Sequence, residues 1–523
     1  MNLKSMLART VERFADRTAI VSGERRITYD ELDKASNKIA NALVDLGVER
    51  GHRVATLLSN SPEFVNVYFG IIKTGATAVP LDTRYLPVEL AALFDNCQPK
   101  VLIGENAVLE PLVPEMSRFG TIEHVINLGE TLAGQYLSYH RIMETGSDQS
   151  LDIEPEPDDI GTISYTGGPT YRPHGVALSH RNLVAEAVMS GEGFGQTEKD
   201  VAVLFALPMF HMFGLASILL TAINKGSTVV VVPGTGRSIA SFLETIEREK
   251  GTIYMGVPYI YALAINVAER EGINFDLSSL RLWGSGGATL TADIASRFKK
   301  QFGATILDIW GLTEAVSHVT YHPLEGAGNT NSTGKALPGF ELAVADDDGH
   351  HLPPGRVGEI LVKGPMMSCY YNDPEATAKT IRNGWLLTGD LGSVDSGGYL
   401  HLTGMKKNMI ILKGQNIYPG DIEKVLCTHP KIAEAVVVGI PDKLRGEVVA
   451  AIIRLKKRVT ATEQEIRRFC QGRLSDYKLP KMIFFTHSLL KKASTGIDKQ
   501  KLEDYLPDLS ALTPSPARKK GES

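Results

Sequence analysis

Three short segments combine residue types that could hold a phosphorylated ligand, and the first is a glycine- and threonine-rich loop at residues 165–175. It joins the apolar segment 160–164 to a helix that we expect to begin near Ser179. Backbone N–H groups and hydroxyls in such a loop can bind phosphate oxygens, although the spacing is not that of a Walker loop. An ordinary turn can have the same composition, so the loop alone leaves both interpretations open.

The other two segments present carboxylates near predicted turns. Residues 310–314 close a predicted strand and end in Thr313 and Glu314. Open α/β sheets bind ligands at this edge, and a carboxylate there can bind Mg²⁺ through its oxygens. Asp390 follows a tight turn at 387–389, which suits contact with ribose hydroxyls. Taken singly, each carboxylate could also be a solvated loop residue.

The elements that must position these segments alternate between short apolar strands and amphipathic helices. One helix opens at Thr28 with a capping-box spacing to Glu31 and ends near Gly47. The predicted strands lie at residues 53–58, 101–103, 201–207, 228–232, 280–283 and 304–309. The alternation is typical of α/β architecture, with sheets and packed helices.

The chain changes in character after about residue 350. Strands punctuated by glycine and proline at 355–364 and 397–402 indicate hairpins in a β-rich subdomain. Residues 405–510 have helices and strands of their own, which predicts a small α+β domain. We therefore expect an N-terminal domain at 1–404, a C-terminal domain at 405–510 and a disordered tail at 511–523.

Composition excludes several classes of protein. A chain of 523 residues that is 43% apolar and 22% charged is expected to be globular, soluble and built from two or more domains. A net charge of -5 gives no field that would attract nucleic acid. The four cysteines are scattered, which disfavours a zinc site or a disulfide framework and favours a reducing compartment, the cytoplasm. The N-terminus lacks the apolar core of a signal peptide, so no export is expected.

One uncharged stretch, residues 201–223, is long enough to cross a membrane. Pro208, His211 and Gly214 interrupt it. They favour a buried strand at 201–207, then a loop, then a core helix. We therefore expect no membrane span.

Seven segments in a fixed order resemble the motifs of the AMP-forming acyl- and aryl-CoA synthetases, the adenylating superfamily that includes firefly luciferase and peptide-synthetase adenylation domains. The segments are residues 165–180, 207–214, 286–290, 310–314, 384–390, 414–419 and 444–447. The resemblance extends from residue 10 to about residue 505. It implies a large N-terminal domain, a hinge and a mobile C-terminal domain that rotates between two half-reactions. In the first, a carboxylate and ATP give acyl-AMP and pyrophosphate; in the second, acyl-AMP and CoA give acyl-CoA and AMP.

The resemblance also implies roles for individual residues. The nucleotide would be bound by Gly286, Gly287, Ala288, Asp308, Ile309, Trp310, Gly311, Thr313 and Asp390, with Thr313 at the AMP phosphate and Asp390 at the ribose. The phosphate loop would contain Thr166, Gly167, Gly168, Thr170 and His174. The catalytic residues would be His211, Thr313, Glu314 and the hinge Lys407, with Glu314 as the metal ligand. The acyl pocket would be lined by His211, Met212, Phe213, Tyr254, Val257, Val316 and Ser317, and the CoA tunnel by Gly414.

The sequence departs from the family pattern at positions that handle ATP. In the loop, which in the family reads Tyr-Thr-Ser-Gly-Thr-Thr-Gly-x-Pro-Lys-Gly, four positions differ: they are occupied by Gly167, Pro169, Tyr171 and His174. Proline has no N–H to donate, and a mostly neutral histidine replaces the permanent charge of lysine.

The family also has a C-terminal Thr-Gly-Lys-Ile segment, whose lysine bridges the carboxylate and the α-phosphate. Here the segment reads Ser494-Thr495-Gly496-Ile497-Asp498, so that without a gap the lysine position is Gly496 and with a gap the lysine is missing. Lys491, Lys492 and Lys499 are more simply surface residues. Met405 replaces the family's hinge-proximal arginine.

Because the segments that serve the second half-reaction survive, the first hypothesis is a ligase that takes an acyl-adenylate from a separate adenylating partner enzyme and transfers the acyl group to CoA. A bulky terpenoid acid is a candidate substrate, since split ligases of this sort occur in antibiotic pathways. The cofactors would be AMP as acyl-adenylate and CoA, with Mg²⁺ and ATP only if adenylation is retained. The alternatives are a complete ATP-dependent medium- or long-chain fatty acyl-CoA synthetase and a silent scaffold that binds an acyl ligand.

Overall fold

A computed structural model describes residues 1–129, 136–166, 174–232, 238–272, 275–288, 290–323, 332–405, 410–442, 444–456, 458–486, 491–492 and 496–497. The α-helices of these residues are Leu3–Phe14, Tyr29–Asp45, Pro62–Lys73, Pro87–Cys97, Asn106–Leu109, Tyr139–Thr145, His180–Gly193, Thr221–Lys225, Ile239–Glu249, Pro258–Glu271, Ala292–Phe302, Pro374–Thr380, Pro419–Cys427 and Glu463–Cys470. Short 3₁₀ segments occupy Glu110–Arg118, Thr313–Ala315 and Asp476–Lys478, and a π-helix occupies Phe213–Leu220.

Two large sheets carry most of the N-terminal domain. The first has seven strands in the order Ile306–Asp308, Leu282–Ser285, Ile253–Gly256, Val201–Leu204, Thr228–Val231, Thr18–Ser22 and Arg25–Thr28. The second has eight strands in the order Cys369–Tyr370, His174–Ser179, Ile160–Thr166, Thr77–Pro80, Arg53–Leu57, Val101–Gly104, His124–Asn127 and Leu137–Ser138. Most neighbouring strands are parallel, which confirms the α/β prediction.

A third, antiparallel sheet forms the predicted β-rich subdomain. Its strands are Glu341–Ala345, Gly358–Lys363, Trp385–Val394, Ile381–Arg382 and Leu400–Met405, and a separate two-stranded pair comprises Thr320–Tyr321 and Lys335–Ala336. Trp385–Val394 pairs with Leu400–Met405 across the glycine turn at 397–398, so the predicted hairpin is confirmed. This hairpin matters for the site because Asp390 lies on it.

The small C-terminal domain is built on a sheet of its own. Its strands are Gln415–Ile417, Ile410–Leu412, Gly446–Leu455, Ile432–Asp442 and Met482–Thr486. Its buried apolar side chains, from Ile410 to Ile483, form a core separate from the large core of the N-terminal domain. A large domain followed by a small one is therefore confirmed. The boundary at residue 405 stays a prediction, and the tail at 511–523 lies outside the described residues.

Local sequence signals explain the predicted helix at Thr28. The Thr28 side chain accepts a hydrogen bond from the Glu31 N–H, and the Glu31 carboxylate accepts from the Thr28 N–H at 2.8 Å. This reciprocal pairing satisfies two backbone donors that a helix start leaves without partners. The helix runs over Tyr29–Asp45, as predicted.

The apolar stretch 201–223 differs in detail from its prediction. The strand ends at Leu204 rather than at residue 207, because Ala206 has a φ of 60° and turns the chain. The core helix begins as a π-helix, Phe213–Leu220, with every residue buried. No helix among the described residues is both long and apolar enough to cross a membrane.

Candidate functional site

The carboxyl ends of neighbouring parallel strands bring the predicted adenine-binding segments together. Leu282–Ser285 lies between Ile253–Gly256 and Ile306–Asp308 in the seven-stranded sheet. After these strands, the Gly286 N–H donates to the Gly256 carbonyl at 3.0 Å, and the Ile309 N–H donates to the Ser285 carbonyl at 2.7 Å. The segments 286–288 and 308–310 therefore leave the same sheet edge side by side, at the position where open α/β sheets bind ligands.

Gly286 is closely packed against Ile309 and Phe213. A Cβ at this position would lie 3.2 Å from Ile309 Cγ1 and 3.3 Å from Phe213 Cε1. Ser285 Oγ and Asp308 Oδ1, which belong to paired residues, are buried and have no hydrogen-bond partner among the described residues. Burial raises the pKa of the Asp308 carboxyl well above its ordinary value. Buried polar atoms without partners at a ligand-binding edge fit the exocyclic amine and ring nitrogens of adenine.

Trp310 connects this edge with the β-rich sheet. Its indole N–H donates to Asp390 Oδ2 at 2.8 Å, although 80 positions separate the two residues. The ring is 7% exposed and presents a flat wall. Asp390, the predicted ribose ligand, is thus oriented by Trp310, which is predicted to lie beside the adenine base. The two predicted nucleotide contacts are therefore joined by a hydrogen bond.

Glu314 is held by a tyrosine from the eight-stranded sheet. The Tyr370 hydroxyl donates to Glu314 Oε1 at 2.6 Å, and the Met367 N–H donates to the Glu314 carbonyl at 2.7 Å. Burial and the adjacent Glu314 carboxylate raise the pKa of Tyr370, so its hydroxyl stays a donor at neutral pH. Glu314 is only half-buried. Its carboxylate oxygens lie beside the predicted phosphate loop and are of the kind that Mg²⁺ takes as ligands. Mg²⁺ bound there would neutralise phosphate charge.

The stem of the predicted phosphate loop lies next to this pair. Thr166 and His174 are paired across the hairpin, and the His174 ring lies 4.9 Å from that of Tyr370. His174 Nδ1 lies 3.7 Å from an Asp373 carboxylate oxygen. The predicted loop members Gly167, Gly168 and Thr170 lie outside the described residues. The position that holds a lysine in the family therefore carries a histidine whose Nδ1 is buried and has no hydrogen-bond partner among the described residues.

His211 lies in the loop between the strand Val201–Leu204 and the π-helix. Its Nδ1 accepts a hydrogen bond from the Phe213 N–H at 3.2 Å, so the neutral ring carries its proton on Nε2. The ring is exposed to solvent, yet the surrounding protein lowers its pKa through desolvation, an effect partly offset by Asp82. His211 is thus neutral at pH 7.

The predicted acyl-pocket residues differ in their surroundings. Met212 and Phe213 are buried at the start of the π-helix. Val316 is buried and has a φ of 70°, a conformation that is strained for a β-branched residue and is often found at functional sites. Tyr254 is fully buried, with its ring 4.6 Å from that of Phe242. This packing gives Tyr254 a place in the aromatic core.

The C-terminal domain reaches the site through Gly414. This residue has a φ of 81°, and a Cβ on it would lie 2.5 Å from Val257 Cγ1. The Gly414 carbonyl is 3.9 Å from the Cβ position of Gly287. The predicted CoA-tunnel residue therefore lies against a predicted acyl-pocket residue and a predicted nucleotide residue. Lys407 lies outside the described residues.

Two tyrosines in the site were not predicted to have a role there. Tyr370 contacts Glu314 from a two-residue strand, a signal too short to find in sequence. Tyr418 comes from the C-terminal domain, and its pKa is raised by burial and then by the carboxylates of Glu314, Asp421 and Asp390. The C-terminal domain thus contributes a phenol close to the carboxylates of the site.

Family models match both parts of the chain. The model described as AMP-binding enzyme matches residues 7–371, and the model described as AMP-binding enzyme C-terminal domain matches residues 421–496. The chain belongs to the AMP-forming acyl-CoA synthetases of the adenylating superfamily, and it is an enzyme of the acid–thiol ligase class. Members of this family use ATP, CoA and Mg²⁺, with a carboxylic acid as the second substrate.

Relatives match over nearly the whole chain. A long-chain-fatty-acid–CoA ligase of Bacillus subtilis is 31% identical over 96% of this chain and 94% of its own length. The o-succinylbenzoate CoA synthetase of B. subtilis, as a double mutant bound with a product analogue, has a TM-score of 0.84 at 29% identity, over 95% of this chain and 98% of that one. ATP-bound MatB of Rhodopseudomonas palustris has a TM-score of 0.71 at 29% identity, over 97% of this chain and 100% of that one.

Proposed function

We propose that this ligase forms acyl-CoA from an acyl-adenylate and CoA, and that its ATP-dependent adenylation half-reaction is lost. The observation that carries the proposal is the absence of the family's lysine from the segment 494–498: without a gap Gly496 occupies the lysine position, and with a gap the lysine is missing. In the structure, Gly496 pairs with Lys492 and Ile497 pairs with Lys491 in a short antiparallel pair of strands. A cation that stabilises charge developing in a transition state contributes about 2–4 kcal/mol, or about 10²- to 10³-fold in rate.

His174 supports the same proposal from the other domain. Its ring lies 4.9 Å from that of Tyr370, and its Nδ1 lies 3.7 Å from Asp373, so the group that replaces the loop lysine is packed among side chains of the N-terminal domain. Pyrophosphate formation places several negative charges near the phosphate loop, and an imidazole lacks the compact, permanent charge with which a lysine stabilises them. Two cations are thus lost from the half-reaction that handles ATP.

Two contacts support thioester formation as the retained half-reaction. In this step the CoA sulfur bonds to the acyl carbon, the bond between that carbon and the phosphate oxygen breaks, AMP leaves with the electron pair, and the thiol proton passes to solvent. The step depends on positioning, because the adenylate is already a good leaving group. Gly414 lies against Val257, and Trp310 orients Asp390, as thiol delivery and adenylate binding would require.

The proposed substrate is a bulky terpenoid acid delivered as its adenylate by a separate enzyme. The cofactors are then AMP as acyl-adenylate and CoA, and the cytoplasm is the proposed location.

A second candidate function is a complete ATP-dependent fatty acyl-CoA synthetase. It is favoured by the long-chain-fatty-acid–CoA ligase of B. subtilis, which is similar along nearly the whole chain. Under this alternative, the altered loop and hairpin still stabilise pyrophosphate departure through other groups.

The deciding experiment measures acyl-CoA by mass spectrometry in two arms, each with CoA and Mg²⁺. One arm supplies octanoic, palmitic or a diterpenoid acid with ATP, and the other supplies the same acids as synthetic adenylates. The proposal expects product from the adenylates alone. Similar rates in both arms would establish the fatty acyl-CoA synthetase instead.

A gain-of-function variant tests the physical reason. Gly496→Lys combined with His174→Lys restores a cation at each altered position and should raise ATP-dependent pyrophosphate release. Gly496→Gln with His174→Gln is the matched control, because it adds similar side chains without charge. An equal response of the two double variants would rule out the lost charges as the cause.

A further inference from the structure

A buried ion pair joins the two domains at a distance from the reacting groups. Lys478 of the C-terminal domain donates from Nζ to Glu89 Oε1 of the N-terminal domain at 2.7 Å. The Ser475 hydroxyl donates to the other oxygen of Glu89 at 2.5 Å. The two charged side chains are 10% and 3% exposed. Both charges are therefore removed from water only when the domains are docked.

Aromatic rings complete the surroundings of the ammonium group. The Lys478 Nζ lies 5.7 Å from the ring centres of Tyr85 and Tyr477, which come from opposite domains. Glu89 is also fixed within its own domain, since its Oε2 accepts from the Leu86 N–H at 3.0 Å at the start of the helix Pro87–Cys97. A carboxylate anchored in this way presents a fixed acceptor to the incoming lysine.

A second contact connects this pair with the Gly414 loop. Arg84 donates from Nη2 to Asp82 Oδ2 at 2.6 Å, and its guanidinium lies 4.9 Å from the centre of the Tyr477 ring. With its amide oxygen toward Arg84, Gln415 accepts two hydrogen bonds at 2.6 and 2.7 Å. Gln415 directly follows Gly414. The contacts of residues 82–89 therefore fix the orientation of the segment that lies against Val257.

We propose that Glu89 is a positioning residue for the CoA step: its buried pairing with Lys478 holds the C-terminal domain in the arrangement that places Gly414 at Val257 and Gly287. The inference rests on the proposed thioester-forming step. A buried charge that loses its partner is strongly destabilising. At a domain interface this penalty is relieved by undocking, which returns the charge to water without unfolding either core. Removing one partner therefore reduces the docked population and leaves adenylate binding by the N-terminal domain intact.

The test is a cycle of Glu89→Gln, Lys478→Met and the double variant, assayed with CoA and the synthetic adenylate that gives the highest wild-type rate. Each single variant should lower kcat/KM for CoA by about tenfold or more, with the KM for the adenylate unchanged. The double variant has no unpaired charge, and it should return to within about threefold of the wild-type value. A double variant as slow as the product of the single effects would overturn the pairing.

Lys73→Met is the matched control. Lys73 Nζ also lies 2.7 Å from a carboxylate, that of Asp33, and its side chain is 4% exposed, but both partners belong to the N-terminal domain. This variant should lower Tm and leave kcat/KM for CoA within about twofold of wild type. A loss equal to that of Glu89→Gln would show that the effect reflects general stability.

Hydrogen exchange provides a measurement that needs no turnover. In Glu89→Gln, peptides covering residues 84–90 and 475–479 should exchange faster, while peptides of the strands Ile253–Gly256 and Gly446–Leu455 should exchange as in wild type. Unchanged exchange in the first two peptides would refute the pairing as the force that docks the domains. A wild-type enzyme without activity on any adenylate would refute the proposed function. The exchange measurement would still show whether the pair Glu89–Lys478 docks the two domains, because it needs no turnover.

Discussion

The contact between Gly414 and Val257 leads to a quantitative prediction about domain docking. Gly414 has a φ of 81°, so Gly414→Ala places a Cβ in the left-handed region at a cost of roughly 1–2 kcal/mol. The new Cβ would also lie 2.5 Å from Val257 Cγ1, about 1 Å closer than ordinary contact. Overpacking of this size costs about 1–3 kcal/mol. Together these terms disfavour the docked arrangement by about 2–5 kcal/mol, or roughly 30- to 4,000-fold in the CoA step.

The two contributions can be separated. Val257→Ala removes the Cγ1 that the new Cβ would strike and leaves Val257 Cβ at 3.1 Å. Gly414→Ala with Val257→Ala therefore retains the backbone cost and a smaller residual contact, and it should be slower than Val257→Ala alone by at least about 5-fold. The assay is single-turnover formation of acyl-CoA from a synthetic adenylate, with Val257→Ala as the control for changes in the acyl pocket. If the double variant were no faster than Gly414→Ala, the steric part of this reasoning would be refuted.

Three further expectations follow from the described contacts. Trp310→Phe keeps an aromatic wall but removes the N–H that donates to Asp390, so it should weaken binding of an acyl-adenylate analogue by about tenfold in calorimetry. Burial lowers the pKa of His180 to about 4, so between pH 6.5 and 4 the unfolded chain binds a proton that the folded chain does not. Stability should therefore fall by about 2 kcal/mol between pH 7.5 and 5 in urea titrations, and His180→Asn should abolish this part of the decrease. Burial raises the pKa of the Cys97 thiol to about 12, so iodoacetamide at pH 8 should modify the exposed Cys427 and leave Cys97 unmodified until the protein unfolds.

Local signals were the part of the fold that sequence could predict. Thr28 and Glu31 cap their helix through neighbours three positions apart, and this spacing can be read directly. The convergence of 286–288 and 308–310 was also predictable, since both segments follow apolar strands and the carboxyl ends of parallel strands meet at one edge. The glycine turn at 397–398 likewise indicated its hairpin.

Long-range pairing could not be predicted in the same way. Tyr370 reaches Glu314 from 56 positions away and Lys478 reaches Glu89 from 389 positions away, and no local pattern indicates either contact. The π-helix was missed because residues 213–220 are uniformly apolar apart from Gly214 and Ser217, which leaves no periodicity that would distinguish π from α winding. The length of the strand that ends at Leu204 was overestimated, because the chain turns at Ala206, which has a positive φ. Alanine rarely adopts this conformation, so the sequence gives no turn signal there.

The π-helix at Phe213–Leu220 begins with a residue predicted to line the acyl pocket, and it gives that predicted pocket a way to change shape through chain length. A π segment is equivalent to an α-helix that has gained one residue, so deleting a single residue within it restores regular winding while the flanking segments keep their places. The buried side chains at the deletion itself would then change their positions relative to one another, because each residue of an α-helix turns the chain by about 100°. A three-nucleotide deletion is therefore expected to reshape this predicted pocket as directly as the replacement of one side chain by another.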